Sequence, residues 1–183
     1  MRKRLRQEAG FGLIELLMAI TVLNIGILAI VAAFNSGIVT VRRSGMTATA
    51  SVLADQQIEL YRALTWDQIS LDSGALATTD NTYRCDSALG AACPNSTSTE
   101  VQGTCSTLTN QCNPSRTLTG PDRHKYRVDT YILSDHPVAA SRTIRKVTVV
   151  VRDGQNVSKA LARETSTFDC STALPYAPGC PTT

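Results

Sequence analysis

From Phe11 to Phe34 the chain is apolar apart from Glu15, Thr21 and Asn24. About twenty mostly apolar residues suffice for a helix to cross a bilayer. A cleavable secretory signal has an apolar core of only about 7–15 residues and an Ala-x-Ala-like exit. This run is longer, and Asn35-Ser36-Gly37 is not such an exit, so the pattern predicts a membrane-spanning helix. The helical periodicity then continues. Met46, Ala50, Leu53, Leu60 and Leu64 recur at helical spacing, with Gln57 as a polar interruption. Arg42, Arg43, Ser44, Asp55, Gln56, Glu59 and Arg62 fill much of the remaining surface. Such a segment is amphipathic, with one face available to a sheet. No proline lies between Met1 and Cys93. Gly26, Gly37 and Gly45 each weaken the helix by roughly 1 kcal/mol relative to Ala without ending it. One helix is therefore expected from about Phe11 to Leu64, on the order of 80 Å long, with Thr65-Trp66-Asp67 as its exit.

After residue 65 the pattern changes. Residues 70–121 are rich in Ser, Thr, Asn, Asp and Gly, which favours loops and turns. Residues 124–168 are β-like. Tyr126–Leu133 reads as a strand, Thr143–Val151 as a second, and Val157–Phe168 as a third returning after the turn signal Asp153-Gly154-Gln155-Asn156. A further strand around Thr82-Tyr83-Arg84 is weakly marked. The expected fold class is α+β: a long N-terminal helix packed on an antiparallel sheet of three to four strands, with disulfide-bridged loops. The expected organisation is a leader (1–10), a membrane helix (11–34), its amphipathic continuation (35–64) and one globular head (65–183).

The six cysteines fall as Cys85/Cys93, Cys105/Cys112 and Cys170/Cys180. Six allow fifteen pairings. Pairing between neighbours is favoured because each pair brackets a short polar loop, and an unstrained bridge of that size contributes roughly 2–3 kcal/mol. The spacing contains no Cys-x-x-Cys and offers only His124 and His136 as helpers, so a zinc site is not expected.

Charge changes the picture less than the net value of +3 suggests. Arg2, Lys3, Arg4 and Arg6, offset by Glu8, precede the apolar run. The leader thus holds four of the eighteen basic residues and one of the fifteen acidic ones, and fourteen of each remain after it. The basic excess is a topology signal that keeps the N-terminus in the cytoplasm and sends the head outside. Charge alone gives no case for nucleic acid as a partner. No phosphate loop, nucleophile elbow or His-Glu-x-x-His motif is present, so no catalytic residue and no cofactor are expected. His124 and His136 read as solvated loop residues. Asp72 and Asp80 flank a polar loop, a spacing too generic to specify calcium. Asn95-Ser96-Thr97 and Asn156-Val157-Ser158 match a glycosylation triplet that is common by chance.

The decisive chemistry is at the start of the apolar run, in Gly10-Phe11-Gly12-Leu13-Ile14-Glu15. A carboxylate near lipid is costly and needs a partner. Cleavage between Gly10 and Phe11 would expose one, the Phe11 amine. The leader, the Gly-Phe junction, the apolar helix and the Glu at the fifth position after the junction resemble the class III signal of type IV pilins and type II secretion pseudopilins. The resemblance implies that prepilin peptidase cuts after Gly10 and methylates Phe11. It implies that Phe11 and Glu15 serve assembly, and that the subunit leaves the inner membrane to pack against other pilins in a filament. Val22–Leu28 and Ala54–Arg62 resemble minor pilins of the type IV pilus modification class. Many major pilins carry a proline where this chain has Ala32. The Cys170–Cys180 loop is similar in position to the C-terminal disulfide loop of many pilins. The expected role is a non-enzymatic minor pilin that initiates, caps or decorates a pilus. The alternative is a pseudopilin of a type II secretion or competence system.

Overall fold

The computed structural model describes residues 12–90, 93–104, 110–135 and 143–169. The chain divides into two compact units, Met1–Ser44 and Gly45–Thr183. Helix α1, Leu13–Arg62, runs through both. In the first unit its side chains are exposed throughout, including Leu13, Ile14, Leu16, Leu17 and Met18. It is long and apolar enough to cross a membrane. Within it the Thr21 hydroxyl donates to the Met18 carbonyl at 2.8 Å, which satisfies that polar group inside the helix.

In the second unit the buried stripe of α1 is Ala50, Leu53, Ala54, Gln57, Ile58 and Tyr61. These positions follow the i, i+3, i+4, i+7, i+8, i+11 pattern of one helical face. Ala50 and Leu53 were expected there. Gln57 and Tyr61 join them because their polar atoms find partners. Arg116 donates to Gln57 Oε1 at 2.9 Å, Gln57 Nε2 donates to the Asn110 carbonyl, and the Tyr61 hydroxyl donates to the Gln111 carbonyl. After the helix a 3-10 turn at Trp66–Gln68 redirects the chain. Arg145 secures this exit by lying 4.6 Å over the Trp66 ring and donating to the Ile69 carbonyl at 2.8 Å.

The next segment holds β1 (Leu71–Asp72), α2 (Ser73–Ala77), α3 (Asn81–Arg84) and β2 (Gln102–Gly103), with β1 and β2 paired in parallel. The strand suggested at Thr82-Tyr83-Arg84 is the helix α3 instead. The Asp80 side chain accepts from the Tyr83 amide at 2.9 Å and caps a helical turn there. Asp72 caps α2 in the same way, through the Ala75 amide at 2.8 Å. The two aspartates thus serve separate helix caps.

The main sheet has four antiparallel strands in the order β3 (Ser115–Thr119), β4 (Lys125–Asp135), β5 (Ile144–Asp153) and β6 (Ala160–Asp169). Strands β4 to β6 lie where the hydrophobic pattern put them. The fourth strand is β3, inside the stretch read as loop. Its sequence Ser-Arg-Thr-Leu-Thr offers only Leu118 as an apolar inward residue, so the alternation is faint.

Successive side chains of a strand face opposite sides. Val128, Thr130, Ile132, Val147, Val149 and Val151 form the face under α1, all essentially buried. The reverse face is also buried, because the segment around α2 and α3 covers it. Tyr83 stacks on Tyr131 with ring centroids 4.3 Å apart. The head is therefore layered on both sides of its sheet, one layer more than the strand pattern predicts.

The turn between β5 and β6 packs against the start of β4. The Gly154 amide donates to the Lys125 carbonyl at 2.8 Å, and a Cβ on Gly154 would fall 2.5 Å from that carbonyl oxygen. Gly154→Ala is expected to destabilise the head by about 1–3 kcal/mol through overpacking, read as a lower denaturant midpoint at unchanged slope.

Cys85 and Cys93 form a disulfide with Cα atoms 4.7 Å apart. Cys112 is also disulfide-bonded, to a partner outside the described residues. Cys105, Cys170 and Cys180 lie outside them too, as do the pairings expected for those cysteines.

Candidate assembly and processing site

Glu15 sits in the first turn of α1. The turn is opened by Gly12, whose carbonyl accepts from the Glu15 amide at 3.0 Å and the Leu16 amide at 3.2 Å. An acidic side chain at this end complements the unpaired amides and the helix dipole. Its neighbours Leu13, Ile14, Leu16 and Leu17 are all exposed. Among the described residues Glu15 has no ion pair. A carboxylate set in such a greasy surface is costly to bury without a charge partner. Gly10 and Phe11, the other two residues expected at this site, lie outside the described residues.

Residues 5–31 match the family model of the prokaryotic N-terminal methylation motif. This match supports a type IV pilin-like or pseudopilin precursor. The motif is a class III signal, which implies processing by prepilin peptidase and assembly with pilins in general. It suggests a structural protein, and with the apolar helix it is consistent with membrane anchorage. No curated protein and no solved structure gives a significant match.

The head contains an ionic chain that sequence reasoning missed. Asp129, with a fully buried side chain, accepts from Arg127 Nε at 2.8 Å, Arg152 Nε at 2.9 Å and Ser115 Oγ at 2.6 Å. Arg127 continues to Asp80. Arg152 continues to Asp86, which also takes Arg163 at 2.7 Å. Three carboxylates thus face three guanidinium groups, and the cluster is neutral. Arg127 holds the Asp80 carboxyl down at about 2, mainly by hydrogen bonding. These contacts fasten the α3 segment to β4, β5 and β6. The available signal was the charged alternation Lys125, Arg127, Asp129 in the first half of β4 and the charged pair Arg152-Asp153 at the end of β5, which resembles a solvated face.

His124 also departs from its expected solvated state. Its Nε2 lies 2.9 Å from Asp153 Oδ1, and its ring meets Tyr126 edge-on at 5.1 Å. It ties the β3–β4 turn to the end of β5. His136 lies outside the described residues.

Proposed function

We propose that this chain is a minor type IV pilin. Prepilin peptidase would cut after Gly10 and methylate Phe11. The mature subunit would leave the inner membrane, join other pilins through its N-terminal helix, and help initiate, cap or decorate a pilus. Residues 1–10 would be the leader, 11–34 the membrane and assembly segment, 35–64 its continuation, and 65–183 the extracytoplasmic head. The observation that carries this reading is the methylation motif over residues 5–31, set on an exposed apolar helix with Glu15 in its first turn. A free Phe11 amine would supply the cation that Glu15 lacks, and each charge is less costly to bury when paired. Further support is the bridging of Cys85 to Cys93, which suits a head exported to an oxidising compartment.

A pseudopilin of a type II secretion or competence system would share every N-terminal feature. Co-purification separates them: sheared pili carrying the protein favour the pilin, and recovery only with a secretion complex favours the pseudopilin.

Mass spectrometry of the protein extracted from membranes tests the processing step. The expected product begins at Phe11, carries one added methyl group there, and holds its cysteines as disulfides. Recovery of chains that all retain Met1 would refute the processing.

A further inference from the structure

The outer edge of β4 changes partner part-way along. Strand β3 pairs with it only from Lys125 to Asp129. Beyond that point the edge is closed piecemeal. The Thr130 amide donates to the Pro114 carbonyl and the Val101 amide to the Ile132 carbonyl, both at 2.8 Å, while Glu100 bridges Leu133. The Thr130 carbonyl is met by the Tyr83 hydroxyl at 2.7 Å. That same hydroxyl lies 2.6 Å from Glu100 Oε1. Tyr83 is fully buried and Glu100 is 4% exposed.

A phenol has one proton, and a backbone carbonyl can only accept. A buried carbonyl left unpaired is costly, so the Tyr83 proton is committed to Thr130. The short contact between Tyr83 and Glu100 then needs a second proton, and only the Glu100 carboxyl can carry it. We infer that Glu100 is a neutral carboxylic acid in the folded head, donating to Tyr83, and that its deprotonation unlatches the 100–103 segment from β4. The inference concerns the head alone and stands or falls separately from the assembly reading.

The surroundings agree. Glu100 Oε2 is buried without a hydrogen-bond partner, a poor setting for an ionised oxygen. From α3 the group facing Glu100 is Tyr83. From β4 come the Ile132 amide and, behind Tyr83, Tyr131 and Asp129. Asp129 is already saturated by Arg127, Arg152 and Ser115. Among the described residues no cation pairs with Glu100. Burial raises its carboxyl from the ordinary 4.5 to about 7, with Tyr83 and the Ile132 amide pulling partly the other way. Burial, the largest cause, pushes the Tyr83 hydroxyl far above the usual phenol range, so Tyr83 keeps its proton.

The direction of the pH effect follows. Above the unfolded value of 4.5 the unfolded chain releases this proton while the folded head retains it. Stability therefore falls as pH rises from there to about 7 and levels off beyond. The device loosens one edge of the sheet in alkaline surroundings and closes it in acid.

The test uses the full chain in detergent micelles, on a Glu164→Gln background because burial and Asp55 also raise the Glu164 carboxyl. Infrared spectra at mildly acid pH should show a protonated-carboxyl band that disappears on alkalisation and is missing from Glu100→Gln. The thermal midpoint of the Glu164→Gln parent should drop several degrees between about pH 5 and 8, and Glu100→Gln should flatten that drop. A parent without such a band overturns the inference, whether or not Glu100→Gln folds. An equally steep midpoint profile in both proteins does the same.

Discussion

Asp129→Ala is expected to cost the head about 3–5 kcal/mol, the typical loss when one member of a buried ion cluster is removed and its partners stay behind. The site gives the reason. Asp129 has no exposed surface and accepts from Arg127, Arg152 and Ser115. Without it the Nε groups of two arginines and a serine hydroxyl lose their acceptor in a place water does not reach, although Arg127 keeps Asp80 and Arg152 keeps Asp86. Asp80→Ala supplies the contrast. Its side chain is 51% exposed, so water replaces it at Arg127 and the pair itself is worth under about 1 kcal/mol; losing the α3 cap on the Tyr83 amide brings the total to about 1–2 kcal/mol. The Asp80 carboxyl is held below its ordinary 3.8, at about 2. Its contribution is therefore present in full above about pH 4 and is lost as pH falls from there through about 2. Trp66, the one tryptophan of the chain and only 8% exposed, reports unfolding by fluorescence. Denaturation of the two variants in detergent should rank Asp129→Ala far below Asp80→Ala. Equal losses would mean that solvent enters the cluster.

This cluster also marks where sequence reasoning runs out. Helix α1 was legible because an unbroken apolar run followed by a helical stripe admits few other structures. Strands β4 to β6 were legible because their β-branched alternation is strong and Asp153-Gly154 signals the turn between the last two. On the reverse face the same alternation misled. Arg127, Asp129 and Arg152 have the composition of a wet surface, and only the return of Asp80 and Asp86, at least 41 residues earlier in the chain, makes that face an interior. The cap at Asp80 likewise overrode the β preference of Thr82 and Tyr83. Gln57 looked like an interruption of the helical stripe because its partner Arg116 sits on a strand too polar to recognise. A processing signal behaves differently. The methylation motif is a local string over residues 5–31, so the acid at position 15 and the Gly-Phe junction are visible in the sequence itself.

Glu15→Ala is expected to leave cleavage intact and to remove the protein from filaments. In the proposed mature subunit, Glu15 neutralises a Phe11 amine on an adjoining molecule inside a packed apolar bundle. Deleting the acid strands that ammonium among residues such as Leu13, Ile14, Leu16 and Leu17, at a cost of about 3–5 kcal/mol for a broken buried pair. At roughly 1.4 kcal/mol per factor of ten, incorporation falls by about a hundred- to several-thousandfold. Glu15→Gln should fail nearly as badly, because the missing quantity is charge rather than volume. Gly10→Val separates the two steps. It blocks the peptidase, so full-length precursor accumulates and no Phe11 amine exists to be paired. Immunoblots of sheared filaments against membranes read both outcomes. Glu15→Ala should run at mature size in the membrane fraction, whereas Gly10→Val should run larger there. Mature Glu15→Ala protein at wild-type levels in sheared filaments would show that the carboxylate is dispensable, and the helix would then pack through its apolar surface alone.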